Sequence, residues 1–163
     1  MKEKFKLDKK DKSILIELYK NARAKVSEIS KSTRIQRDSI KYRMQRMKKN
    51  KVYHQISPRL RFSGMGFPLL YKVDINIIGS NLTEEDKFLA YLKASPFVIN
   101  IEKITGRWDI SLIIVTKTNH HFEEIFKDIR LKYGDIIKDY DISTINRVVK
   151  WWDYSALLRS IKE

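Results

Sequence analysis

Between Gln36 and Lys51 the chain carries seven lysines and arginines against one carboxylate, Asp38, while Ile40, Met44 and Met47 recur at i, i+4 and i+7. Side chains of these types do recognition chemistry rather than bond making. Arg bridges guanine O6 and N7, Gln pairs with adenine, and Lys or Arg neutralises a phosphate. With the Ile40 stripe turned inward, Asp38, Tyr42, Gln45, Arg46 and Lys49 fall on the opposite side of a helix, with Arg37, Lys41 and Lys48 along one flank. Base reading by such a helix comes mainly from its N-terminal part, so Gln36, Arg37, Asp38, Lys41 and Tyr42 are assigned to readout. Lys31, Gln45, Arg46 and Lys48 are assigned to positioning on the backbone. Arg43 lies beside the apolar stripe, where it either braces helix packing or meets a phosphate. A solvated helix face ordinarily mixes both signs of charge. This one does not, and it predicts affinity for a polyanion, duplex DNA first.

A reading face of this kind needs short helices to hold it. Leu7-Asp8-Lys9-Lys10-Asp11 offers a carboxylate at an N-cap and another three residues on, ahead of Ile14, Leu15 and Leu18 at helical spacing. That predicts a first helix ending near Asn21. A second carries Val26 and Ile29 to about Ser32, and after a break at Thr33-Arg34-Ile35 a third runs from about Gln36 to Asn50. Three short basic helices in this order predict a helix-turn-helix. Val52 to Ile56 reads as a short strand, consistent with a winged form, and Ser57-Pro58 with Ser63-Gly64-Met65-Gly66 reads as a linker in which Arg59 and Arg61 add backbone contacts.

From Leu69 the period changes. Leu69, Tyr71, Val73, Ile75 and Ile77 alternate as a strand, Thr83 is placed as the cap of a helix burying Phe88, Leu89 and Leu92, and Pro96 ends it. Phe97 to Ile104 and Trp108 to Thr116 are the next strands, joined by a turn at Thr105-Gly106-Arg107. A helix after Asn119 then places Phe122, Ile125, Phe126 and Ile129 on one face, with Gly134 as its stop, and Ile136 to Val149 is a last strand. The order βαββαβ is ferredoxin-like, so the fold class is α+β. The expected domains are a helix-turn-helix domain over 1–56, a linker over 57–66, a ferredoxin-like domain over 67–150 and a tail over 151–163. Ile113 and Val115 lie on the sheet face away from the helices and need cover. A partner subunit is the economical source; a folded-back tail containing Trp151, Trp152 and Tyr154 is the other.

Charge divides the chain in the same place. Residues 1–62 hold 20 Lys plus Arg against 6 Asp plus Glu, whereas the remainder balances at 14 each. The basic part meets a polyanion and the neutral part does something else. Cysteine is absent, which removes disulfides, thiolate metal sites and cysteine nucleophiles. The basic start has no apolar stretch behind it, and no segment approaches the roughly 20 apolar residues of a bilayer helix. A cytoplasmic or nucleoid-associated protein is expected.

These residues resemble the Lrp/AsnC family of feast/famine transcription regulators over essentially the whole chain. Leu7-Asp8-Lys9-Lys10-Asp11-Lys12-Ser13-Ile14-Leu15 is similar to that family's first helix. Ser27 to Lys31 and Arg43 to Met47 are similar to its second and recognition helices. Thr105-Gly106-Arg107-Trp108-Asp109 resembles the glycine-to-aspartate turn of its effector-sensing RAM domain. The resemblance implies a homodimer through the sheet faces, often assembled further, with two helices facing a pseudo-palindromic site. It also implies small molecules, frequently amino acids, bound near Thr105, Gly106, Arg107, Trp108 and Asp109. The chain departs from the pattern at Lys25, where a small polar N-cap is usual, and at Arg34, where glycine commonly stands. It departs again at Arg107, which either clamps a ligand carboxylate or fills the cleft.

Two other functions compete. The same family has an enzymatic offshoot, the sirohaem decarboxylases, but the third helix here stays densely cationic, and His54, His120 and His121 form no acid/base or ligand constellation. No metal or cofactor site and no catalytic residue is predicted. RNA binding on the sheet is disfavoured, because Ile110-Ser111-Leu112-Ile113-Ile114-Val115 lacks the aromatic residues such a platform stacks bases on.

Overall fold

The computed structural model describes residues 5–53, 60–79, 82–150 and 154–161. Its first helix, α1 (Lys9–Lys20), starts where Asp8 turns its carboxylate onto the Asp11 amide at 2.9 Å, and the Asp11 carboxylate accepts the Asp8 amide at 3.3 Å. This reciprocal cap satisfies two amides that have no partner inside the helix. In α2 (Val26–Thr33) the N-cap is Lys25, whose side chain does no capping; Glu28 reaches back to its amide at 2.9 Å. Then α3 (Arg37–Lys49) follows the N-cap Gln36. Ile14, Leu18, Ile29, Ile35, Ile40 and Met47 are buried together, each contributing about 1.5–3 kcal/mol over an exposed position. Met44 packs against them.

The sheet lies in a separate unit, Leu60–Val149. Strands β1 (Leu69–Ile77), β2 (Val98–Lys103), β3 (Ile110–Thr116) and β4 (Ile137–Thr144) run in the spatial order β2-β3-β1-β4, all antiparallel, with α4 (Leu82–Ala94) and α5 (Asn119–Tyr133) completing βαββαβ. The register sets Tyr71 opposite Ile114, Val73 opposite Leu112 and Ile75 opposite Ile110. These six join Phe88, Leu92, Phe122, Phe126 and Ile129 in one core. Tyr71 stacks on Phe122 with ring centroids 3.9 Å apart and donates its hydroxyl to Asn119 at 2.7 Å.

On the other face, Asp74 is buried between Ser111, whose hydroxyl donates at 2.6 Å, and the Lys72 ammonium, also at 2.6 Å. Burial pushes the Asp74 carboxyl up, but Lys72 and Ser111 outweigh it and leave it below its ordinary value. Val115 is buried and Ile113 half-buried on that face.

A last helix, α6 (Ser155–Ser160), belongs with the N-terminal helices. Lys12 donates to the carbonyl of Ile161 at 2.6 Å, and Tyr154 meets Tyr19 edge to face at 6.5 Å. The tail therefore packs on α1; Trp151 and Trp152, named as possible cover for the sheet, lie outside the described residues.

Several expected boundaries move. Helix α4 begins at Leu82, so Thr83 sits inside its first turn and is not the cap. Trp108 precedes β3, and β4 stops at Thr144 instead of continuing to Val149. Gly134 is right-handed, at φ −58°, so it does not end α5 by a left-handed turn; a Cβ there would stand 2.5 Å from the Arg130 carbonyl oxygen, and close approach is what requires glycine. Val52 and Tyr53 are not strand, while residues 54–56 of that expected strand and Arg59 fall outside the described residues. Within the expected linker, Phe62–Met65 forms a 3-10 turn.

Candidate nucleic-acid interface and sensing turn

The face of α3 away from the core is open. Gln36, Arg37, Asp38, Lys41, Tyr42, Gln45, Lys48 and Lys49 are exposed, as is Lys31 on α2, and Tyr42 reaches 63% exposure for a large aromatic ring. Gln36 makes no side-chain cap, which leaves its amide free to pair at the helix N-terminus. Asp38 and Lys41 lie 3.5 Å apart, a loose surface pair that contributes little to stability. Eight of the nine residues assigned to DNA are thus exposed to solvent.

Arg46 is the ninth and is placed differently. Its guanidinium donates to Asp11 at 2.6 Å and lies over the Phe5 ring at 5.0 Å, and its Nε is buried without an acceptor. This commits Arg46 to α1, so it is not a free positioning cation. Arg43 resolves to bracing: its guanidinium donates to Asp8 at 2.6 Å and to Asp11 at 2.8 Å. Asp8 holds the Arg43 cation above its ordinary pKa, against the opposing effect of burial, with Asp11 adding to the rise. Burial raises the Asp8 carboxyl, but the Asp11 amide and Arg43 more than reverse this, so it sits below its ordinary value. Asp11 is fully buried and shared by both arginines. Its capping role was legible from spacing, whereas its partnership with residues 32 and 35 positions away carries no local signal.

The turn between β2 and β3 is held at its closing end. The Ile104 amide donates to the Asp109 carbonyl at 2.9 Å, the Asp109 amide to the Ile75 carbonyl at 3.0 Å, and the Asp109 carboxylate accepts the Ile77 amide at 2.9 Å. Gly106 has φ +139°, a conformation a side chain would strain. Thr105, Gly106 and Arg107 are exposed, and the Arg107 guanidinium lies over the Trp108 ring at 4.9 Å. An open cleft of about 730 Å³ lies elsewhere, between α5 and β4, lined by Lys127, Arg130, Lys138 and Tyr140 among others, and includes none of the turn residues.

His120 faces Glu123 and Glu124 at 3.7 and 3.6 Å on the surface of α5, His121 accepts the Lys117 amide at 3.3 Å, and His54 lies outside the described residues. Among the described residues no helix is long and apolar enough to cross a membrane.

Comparison with known proteins identifies the domain and the fold. The model of the AsnC-type helix-turn-helix domain matches residues 7–48. One HTH-type transcriptional regulator of Pyrococcus furiosus is 26% identical over 147 residues, covering 89% of this chain and 95% of its own. A second from the same organism is 30% identical over 112 residues, covering 65% of this chain and 71% of its own. Among solved structures, a transcriptional regulator from Neisseria meningitidis, in a complex with L-Met, superposes with a TM-score of 0.84 at 20% identity over 93% of this chain and 99% of that one. AsnC of Escherichia coli superposes with a TM-score of 0.80 at 16% identity, again over 93% and 99%. At these identities the two structures establish the fold.

Proposed function

This chain belongs to the Lrp/AsnC family of helix-turn-helix transcriptional regulators, and from that premise we propose how it binds DNA and what it responds to. The exposed N-terminal half of α3 enters the major groove. Gln36, Arg37, Asp38, Lys41 and Tyr42 read base edges there, while Lys31, Gln45 and Lys48 fix the helix on the backbone. The single observation that carries this is the division of α3 into a cationic face open to solvent and a second set of arginines, Arg43 and Arg46, held inward by Asp11. Two such heads, joined as a homodimer through the sheet face that carries Ile113 and Val115, occupy successive major grooves roughly 10 base pairs apart. The assembly works in the cytoplasm by binding, not by catalysis. The seven lysines and arginines between Gln36 and Lys51 support that over the sirohaem-decarboxylase reading.

A small molecule of the amino-acid class, bound at Thr105 to Asp109, modulates the assembly. Arg107 supplies a cation for its carboxylate and Asp109 a carboxylate for its ammonium. The relative solved with L-Met supports an amino acid as the class of ligand.

Filter binding of the full chain to duplex DNA and to single-stranded RNA of equal length tests the partner. The proposal expects retention of the duplex at low ionic strength and weaker retention of RNA. Equal retention of both, or a tetrapyrrole absorption band on the purified protein, contradicts it. Sedimentation at micromolar concentration tests the assembly, with a dimer expected.

A further inference from the structure

Two residues other than glycine adopt a left-handed backbone among the described residues, and both are cations: Arg34 at φ 58° and Lys51 at φ 55°. They stand on either side of α3. The left-handed region crowds Cβ against the backbone of every L residue, so a side chain kept there costs stability that glycine would not. Such a residue persists where its surroundings over-determine the backbone and the side chain serves a purpose. The surroundings of Arg34 are of that kind. Its amide donates to the Ser30 carbonyl at 2.9 Å, the Ser30 hydroxyl donates to the Ile35 carbonyl at 2.7 Å, and Ile35 is buried in the core of the helices. The turn between α2 and α3 is therefore held through the backbone of position 34 and its neighbours. The Arg34 side chain takes no part in that fixing: it is exposed, and its guanidinium has no partner among the described residues.

Resting on the DNA-binding reading above, we infer that Arg34 is a phosphate contact, held by its left-handed backbone beside the N-terminal end of α3, where base reading takes place. A helical residue in the same turn would carry its guanidinium around the α2 axis. The left-handed turn ends α2 and leaves the cation two residues ahead of Gln36, the N-cap of α3. Lys51 follows the other end of α3, away from the reading residues. It shares the backbone conformation without the position, which makes it the internal control.

The experiment measures affinity for a mixed-sequence duplex of about 30 base pairs by fluorescence anisotropy over a range of salt, beside thermal unfolding, for the wild type, Arg34→Gly, Arg34→Lys and Lys51→Gly. Each glycine variant fits the left-handed backbone and should melt a few degrees higher than the wild type. Arg34→Gly should nonetheless bind roughly 5- to 10-fold more weakly and lose about one unit of the log–log salt slope, as removal of one phosphate contact requires. Arg34→Lys should keep the slope, and Lys51→Gly should bind within about twofold of the wild type. Wild-type affinity and slope retained by Arg34→Gly would overturn the inference while leaving DNA binding intact. A wild type that ignores the duplex at low salt would overturn both.

Discussion

Asp11 and Arg46 meet at 2.6 Å between α1 and α3, and the Asp11 carboxylate is fully buried. Arg43 takes its other oxygen at 2.8 Å. One carboxylate thus turns two of the cations of α3 inward and ties to α1 the helix that carries the proposed reading residues. Removing it leaves both guanidiniums short of an acceptor. They retain 17% and 33% exposure, so Asp11→Ala should cost about 2–3 kcal/mol, less than the roughly 3–5 of a fully buried pair. Hydrogen exchange should show lost protection in α1 and α3 with the sheet amides unchanged.

Acid should weaken the chain through Asp8 and Asp74. Both carboxyls lie below their ordinary 3.8 in the folded chain, so their stabilisation is complete above that value and is lost as pH falls through the lower folded values. The melting midpoint should be level from about pH 7 to pH 5 and fall below about pH 4. Asp8→Asn and Asp74→Asn should each reduce that fall; an unchanged acid limb in both would contradict the ion-pair assignment.

Residues on the open face of α3 should separate by role. Arg37→Ala should change the preferred sequence at a cost of about 1–3 kcal/mol on the best site, the value of a base contact. Lys48→Ala should weaken every duplex alike and lower the salt slope by about one. Identical behaviour of the two variants across a panel of duplexes would refute the division.

The sensing turn permits a paired test. Asp109→Asn keeps an oxygen for the Ile77 amide but removes the charge offered to a ligand ammonium, whereas Asp109→Ala removes both. Calorimetry against the twenty amino acids should show a response in the wild type that Asp109→Asn loses. Thermal unfolding should show Asp109→Ala alone less stable, by about 1 kcal/mol. Silence of the wild type toward all twenty retires the sensing role.

Much of the fold was legible because burial leaves a period in the sequence. Leu69 to Ile77 alternates and is a strand over those residues, and Ile40, Met44 and Met47 mark the inner side of α3. What was illegible depended on partners far apart in the chain. A helical wheel places Arg46 outward, but Asp11 and Phe5, brought close by the fold, draw it in. Composition likewise flags Gly134 as a stop while hiding that the Arg130 carbonyl leaves no room for a Cβ. The docking of the tail on α1 through Lys12 and Ile161 joins residues 149 apart, and a lysine in a basic helix gives no hint of it. The outward residues of α3 were readable because exposure, like burial, follows the helical period.

Selection of bound sequences from a random duplex pool by the full chain bears most directly on the claim that α3 reads DNA in pairs. The account predicts recovery of a shared motif with two-fold related halves about 10 base pairs apart, lost from the pool selected by Arg37→Ala. A pool that emerges without enrichment, or a motif with no symmetry and no dependence on Arg37, would contradict it.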